Sequence, residues 1–114
     1  MEEKIIKDAM AIIMSAGDAR VCCKEALDAV AAGDYDAARE KLKEAQKKIA
    51  EAHHIQTDSI QKDVGGEEKM EYSVLFAHAQ DTLMTIYSEI NLTKHMMNIS
   101  ENLDKRIAAL EKVR

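Results

Sequence analysis

The chain has 114 residues and a net charge of −5, from 16 basic and 21 acidic side chains. This balance argues against a nucleic-acid surface, because duplex binding needs a basic stripe that neutralises phosphates. The chain contains no proline, no tryptophan and only four glycines, while 46% of its residues are apolar and 32% are charged. The composition therefore predicts a few long helices in a single domain, residues 1–114. It excludes a sandwich or barrel, which would need many Gly/Pro turns.

The chain shows no sign of a targeting or membrane segment. Its first residues are Met-Glu-Glu-Lys, whereas a signal peptide begins with basic residues. Every stretch of about 18 residues contains charged or polar interruptions, which argues against a membrane span. We therefore expect a cytoplasmic protein. Cys22 and Cys23 are adjacent and point about 100° apart on a helix, so we predict two small buried hydrophobes and no disulfide.

The first predicted helix covers roughly residues 2–32. Its apolar positions alternate at spacings of four and three, which is a heptad-like pattern. Gly33 is expected to end this helix, and Asp34 to cap the next one. These two residues predict a tight turn between antiparallel helices. The apolar positions are Ile5, Ala9, Ile12, Ala16, Ala19, Cys23, Ala26 and Val30.

Two further helices follow. The second is predicted over residues 35–61, and residues 62–68, which contain paired glycines, are the only predicted loop of any length. The third is predicted over residues 69–112, and this unusual length allows for a bend or break near residues 91–98. Together the elements predict an all-α, antiparallel up-down-up three-helix bundle. The apolar positions of the second helix are Tyr35, Ala38, Leu42, Ala45, Ile49 and Ala52.

The third predicted helix carries few charges in its first half. Between residues 73 and 93 the only formally charged residues are Asp81 and Glu89. A helix with a solvent-facing side should show several Lys or Glu residues. A 114-residue bundle has too little protein to cover the remaining sides. We therefore predict a homo-oligomer whose interface is built on this helix.

A line of polar residues runs along the same helix. His78, Asp81, Thr82 and Thr85 lie at offsets 0, 3, 4 and 7, so they share one face. Ser88 and Glu89 extend this line. Polar residues on an apolar helix cost desolvation unless they are paired or used. The apolar positions, Phe76, Ala79, Leu83, Ile86 and Ile90, lie on a different face.

His78 is the candidate for chemistry. The small Ala77 and Ala79 beside it should leave the imidazole accessible to a partner. A histidine near neutral pH is mostly uncharged and keeps a free lone pair on one ring nitrogen. It can therefore act as a covalent nucleophile. Phosphoryl transfer needs mainly positioning and charge stabilisation rather than a deep cleft, which suits a small helical protein.

Other interpretations of these residues are open. His78 could be structural, with Asp81 holding its ring or pairing with a lysine, in a purely structural interaction module. His78 and Asp81 alone would give zinc two ligands, whereas a structural zinc site needs four. A metal-dependent bundle enzyme would need two Glu-x-x-His motifs, and only residues 51–54 provide one. His53, His54 and His95 are predicted to have surface or capping roles.

Four segments, in order, resemble a known family over nearly the whole chain. They are residues 13–20 (IMSAGDAR), 33–38 (GDYDAA), 51–57 (EAHHIQT) and 75–84 (LFAHAQDTLM). The last, with its His-Ala-Gln-Asp-x-Leu-Met pattern, is the most specific. The chain thus resembles the enzyme IIA component of the bacterial phosphotransferase system, of the lactose/cellobiose (N,N′-diacetylchitobiose) type.

The resemblance implies a phosphocarrier in disaccharide uptake. The chain would form a homotrimer of three-helix bundles. His78 would take phosphate on Nε2 from the histidine-containing phosphocarrier protein and pass it to a cysteine of a IIB subunit, which serves a IIC sugar permease. The alternative is a non-catalytic helical oligomerisation or interaction module.

The resemblance also implies roles for neighbours of His78. Asp81 would meet its symmetry mates on the trimer axis, where three carboxylates share Mg²⁺ or another cation. Gln80 is a candidate for contacting the phosphoryl oxygens. The chain departs from the family at Thr82, where many members carry a second histidine.

Overall fold

Three helices make up the part of the chain that the structure describes. The structure is a computed structural model, and it describes residues 2–65 and 74–113. The helices are α1 (Glu2–Ala31), α2 (Tyr35–Gly65) and α3 (Val74–Lys112). The described ranges contain no strand, which confirms the all-α prediction. None of these helices combines the length and the apolarity that crossing a membrane requires.

A tight turn joins α1 to α2, as predicted. Gly33 has a φ of +77°, a left-handed conformation that glycine adopts without a steric penalty. Its N–H donates to the carbonyl of Val30 at 3.0 Å, and the Asp34 N–H donates to that of Ala29 at 2.9 Å. This pair of bonds is the Schellman motif that closes a helix. The Asp34 side chain then accepts a hydrogen bond from the Ala37 N–H at 3.1 Å, which caps α2.

Contacts between α1 and α3 establish the direction of the third helix. Arg20 contacts Glu89, and Cys23 contacts Thr93. In the second contact both residue numbers are higher than in the first, so α1 and α3 run in the same direction. α2, which lies between them in the chain, runs in the opposite direction, and this completes the predicted up-down-up bundle. This register also places His78 level with residues 8 and 9 of α1.

The predicted end of α2 is wrong by one turn. We expected the helix to stop at Gln61, with a loop from residue 62, but α2 continues to Gly65. Residues 62–64 are Lys, Asp and Val, none of which breaks a helix, and glycine is the first residue that favours an end. The rest of the predicted loop, and the predicted start of the third helix at residue 69, lie outside the described residues.

The long third helix is unbroken where a bend or break was allowed for. α3 is one helix from residue 74 to residue 112, and it passes through residues 91–98 without interruption. Thr93 and Met97 are buried in this stretch, so the helix keeps packing against the bundle here. The Thr93 hydroxyl donates to the Glu89 carbonyl at 2.8 Å, within the same helix.

The core lies between the faces that the apolar spacing predicted. Ile12, Leu83 and Ile86 are the largest fully buried side chains. Most of the other buried positions of α1 and α2 are alanines, whose small size lets the helices approach closely. Ile5, Val30 and Tyr35 are only partly buried, because they lie near helix ends. The other buried members are Ala9, Ala16, Ala19, Cys23, Ala26, Ala38, Leu42, Ala45, Ile49, Ala52, Phe76, Ala79, Ile90 and Met97.

Candidate functional site

His78 lies near the beginning of α3 and projects away from the core. Phe76 and Ala79, close to it along the chain, are buried with 5% and 0% of their surface exposed, whereas His78 is exposed. Within the described residues, its side chain makes no hydrogen bond or ion pair. The imidazole is therefore accessible on a helix that the core holds in place, as its small neighbours predicted.

Thr82 makes a hydrogen bond to the backbone beneath His78. Its hydroxyl donates to the His78 carbonyl oxygen at 2.8 Å, which is the i to i−4 bond that threonine commonly makes inside a helix. The hydroxyl proton is thereby committed to the backbone. Thr82 thus contributes to the helix beneath the histidine and donates no hydrogen bond to its ring.

Asp81 is exposed and follows His78 by almost one helical turn. In the described part of the chain, its carboxylate makes no hydrogen bond or ion pair, so it neither holds the imidazole nor pairs with a lysine there. No group of three or more His, Cys, Asp or Glu among these residues could hold a metal ion. Within the described residues, Asp81 therefore belongs to no such group of ligands.

The structure does not bring Gln80 to the side of His78. Two residues along an α-helix correspond to a rotation of about 200°, and Gln80 is half-buried while His78 is exposed. A phosphoryl group on His78 would therefore lie across the helix from the Gln80 amide of the same chain. This geometry disfavours the expected contact within one chain.

Glu89, at the far end of the polar line, has a partner that sequence reasoning did not find. Arg20 donates to it with Nε at 3.0 Å and Nη2 at 2.7 Å, a bidentate pair that ties α1 to α3. The hydrogen bond with Glu89 raises the pKa of Arg20. In the sequence, the one indication that Arg20 has a specific role was its position at the end of the segment 13–20.

The cysteines play no part in this site. Both thiols are free. Cys23 is buried, as predicted, whereas Cys22, which was also predicted to be buried, is only half-buried. The Cys23 sulfur lies 2.7 Å from the Thr93 hydroxyl. Burial, helped by the nearby Glu44 carboxylate, raises the pKa of the Cys22 thiol. A thiol that stays protonated is a poor nucleophile.

The other three histidines are exposed, as predicted. The ring of His53 meets Tyr87 edge-on, with the ring centroids 6.0 Å apart. This contact lies in a shallow groove between α2 and α3, which His54 and Asn91 also line. His78 does not line this groove, and it is the histidine of the predicted polar line.

Comparison with known proteins gives a consistent result. The family model for the lactose/cellobiose-specific IIA subunit of the phosphotransferase system matches residues 7–101. The chain is 41% identical over 110 residues to the lactose-specific EIIA component of Lacticaseibacillus casei, a match that covers 96% of this chain and 94% of the relative.

Solved structures agree with the sequence match. The cellobiose-specific enzyme IIA from Bacillus anthracis superposes with a TM-score of 0.80 at 34% identity, over 87% of this chain and 90% of that one. The IIA(Chitobiose) component of the Escherichia coli phosphotransferase system, solved in complex with HPr, gives a TM-score of 0.75 at 29% identity, over 88% and 96%. The chain thus belongs to the lactose/cellobiose-specific IIA subunit family of the phosphotransferase system.

Proposed function

We propose that this chain is a phosphocarrier that accepts a phosphoryl group on His78 and passes it to a cysteine of a IIB component. The donor is HPr, the histidine-containing phosphocarrier protein. Membership of the family supports a role in phosphoryl transfer in general terms. The Escherichia coli relative was solved with HPr, which supports the same donor here. Relatives are described as specific for lactose, cellobiose or chitobiose, so the proposed pathway is the uptake of a disaccharide.

The exposure of His78 is the observation that carries this proposal. Its imidazole is open to solvent and has no partner among the described residues, while Phe76 and Ala79 hold the helix against the core. A carrier needs a rigid, accessible nucleophile, because each transfer depends on close in-line approach of another protein. Both encounters are transient, so an open surface serves this purpose better than a closed pocket.

The proposed chemistry consists of two displacements at phosphorus, one that brings the phosphoryl group to His78 and one that removes it. In the first step the lone pair of His78 Nε2 forms the new P–N bond, and the P–N bond to the donor histidine breaks with its electron pair returning to that ring. In the second step a IIB thiolate forms a P–S bond, and the P–N bond to His78 breaks. The phosphorylated ring nitrogen therefore has to face outward, as the exposed position of His78 allows.

We also propose that three copies assemble with their Asp81 carboxylates facing one another. Asp81 is exposed and has no partner within the described chain, so it is available to residues of other copies. Three converging carboxylates would repel strongly, and a shared divalent cation such as Mg²⁺, which prefers oxygen ligands, would offset this charge. The cation would neutralise charge in the assembly and would have no part in moving the phosphoryl group.

The proposal is tested by phosphorylating the chain with phosphoenolpyruvate and the general phosphotransferase proteins. We expect one acid-labile phosphate per chain in the wild type and none in His78→Ala. His95→Ala is the matched control, because it removes an exposed histidine from the same helix and should incorporate phosphate normally. Circular dichroism would verify that both variants keep their helices.

Two results would argue against the proposal. Incorporation that persists in His78→Ala would assign the phosphate to another residue. A wild-type chain that takes up no phosphate while oligomerising normally would favour the alternative, a helical interaction module without chemistry.

A further inference from the structure

The shallow groove between α2 and α3 has the size of a small-molecule site. Its volume is about 480 Å³, and such sites typically measure about 300–1,000 Å³. The residues that line it on α2 recur at spacings of three and four positions, so they share one face of that helix. Six of the lining residues can form hydrogen bonds through their side chains. They are Gln46, His53, His54 and Thr57 on α2, and Tyr87 and Asn91 on α3.

The lining of the groove carries no formal charge. Of the described residues that line it, none is Asp, Glu, Lys or Arg, although such residues make up 32% of the chain. An anion would therefore meet no basic side chain in this lining, and a metal cation would meet no carboxylate. The groove thus favours a neutral ligand.

The groove combines apolar and polar contacts. Ile49 and Ile90 line it and are almost fully buried, with 4% and 3% of their surface exposed. Gln46, Thr57 and Asn91 are exposed. Amide and hydroxyl side chains can each donate and accept hydrogen bonds. A neutral ligand with an apolar face and several hydroxyl groups matches this lining.

An aromatic contact joins the two sides of the groove. The rings of His53 and Tyr87 meet at 89°, with their centroids 6.0 Å apart, an edge-on geometry that such rings favour. Tyr87 remains 41% exposed, so part of its side chain is open to a ligand. The apolar face of a sugar ring can pack on such a surface while its hydroxyl groups reach the polar side chains.

The length of the groove suits more than one sugar ring. Gln46 and Thr57 are 11 positions apart, which corresponds to about 16 Å along α2. His53, His54 and Thr57 belong to the segment 51–57 (EAHHIQT), which the proposed phosphoryl transfer does not use. The groove therefore provides a role for a segment that is otherwise unexplained.

We infer that the groove between α2 and α3 binds a neutral sugar of one or two rings, with Thr57 and Asn91 as hydrogen-bonding partners. The choice of sugars among neutral polyols rests on the proposed role in disaccharide uptake. The groove itself is independent of any reaction at His78, because His78 does not line it. A bound sugar would therefore leave the imidazole accessible.

The first experiment follows binding by two-dimensional proton–nitrogen NMR of the full, unphosphorylated chain. Cellobiose, lactose or N,N′-diacetylchitobiose is added to millimolar concentrations. At least one of them should shift the signals of residues 46–57 and 87–91 in a saturable manner. Gluconate, which has hydroxyl groups and a negative charge, is the matched probe and should shift them much less.

Two results of this titration would overturn the inference. The first is that none of the three sugars produces a saturable shift in these residues. The second is that gluconate binds as tightly as the sugars, because the ligand would then not be selected for its lack of charge.

The second experiment locates the site with variants of similar size. Thr57→Val and Asn91→Leu each remove hydrogen-bonding groups, and each should weaken sugar binding about 2- to 10-fold, as expected for the loss of one net hydrogen bond. Asn98→Leu is the matched control, because Asn98 is also exposed on α3 and does not line the groove. Circular dichroism verifies that all three variants keep their helices. Unchanged binding in both groove variants, or an equal loss in Asn98→Leu, would refute the assignment.

Phosphate incorporation on the same samples separates this inference from the proposed function. Thr57→Val and Asn91→Leu should accept phosphate like the wild type, because neither residue belongs to the proposed site at His78. A chain that accepts phosphate and binds none of the sugars would refute the sugar site and leave the phosphocarrier role intact. A chain that binds a sugar and accepts no phosphate would do the reverse.

Discussion

The two ends of α3 differ in what supports them. Around His78, one side of the helix is fully buried, with Ala79 and Leu83 both at 0% exposure. In residues 102–112, by contrast, every residue is exposed. The same helix is therefore packed against its own chain at one end and exposed on all sides at the other end.

This difference shows how one helix can serve two purposes. The proposed site needs a fixed backbone and an open side chain, and the buried face next to His78 provides the first without covering the second. Residues 102–112, in contrast, carry large apolar side chains that the described part of the chain leaves exposed, namely Leu103, Ile107 and Leu110. The contrast is tested by variants that remove packing beneath His78, the charge of Asp81, or the contact between α1 and α3.

The largest effect on folding should come from the core beneath the site. Leu83→Ala removes a fully buried side chain, and such a change costs about 2–5 kcal/mol. Its neighbour Met84 is 51% exposed, so Met84→Ala should change the free energy of unfolding by only about 0.5 kcal/mol. Urea unfolding at one fixed protein concentration would measure both. Equal losses would show that the bundle does not support the site in the way described.

A smaller effect is expected at Asp81. If a shared cation offsets repulsion between carboxylates, removing divalent ions with EDTA should weaken association of the wild type several-fold. Asp81→Asn keeps the size of the side chain and removes its charge, so its association should be insensitive to EDTA. Sedimentation with and without added Mg²⁺ measures the difference. A wild type whose association is unchanged by EDTA would argue against a cation shared at Asp81.

The smallest effect should come from the Arg20–Glu89 pair. Its side chains are 51% and 40% exposed, and exposed ion pairs contribute about 0.2–1 kcal/mol. Arg20→Ala should therefore cost less than about 1 kcal/mol, and high salt should reduce this cost. A double-mutant cycle with Glu89→Ala isolates the interaction. A coupling well above this range would mean that the pair does more than tie α1 to α3.

Local features were predictable, and distant contacts were not. The spacing of apolar residues predicted which faces are buried, because the helical period depends only on the backbone. The end of α2 was misplaced, since no helix-breaking residue precedes Gly65 and the paired glycines drew the predicted loop too early. The Arg20–Glu89 pair escaped prediction because its residues are 69 positions apart in the chain.

The sequence by itself determined the helices, the turn at Gly33 and Asp34, and the family, because these follow from local chemistry and from a recognisable motif around His78. Only the tertiary structure decided that His78 is open while Phe76 and Ala79 are buried, and that residues 102–112 are exposed on every side. These properties depend on which faces of three helices meet. Packing between distant segments, rather than the preferences of single residues, determines that arrangement.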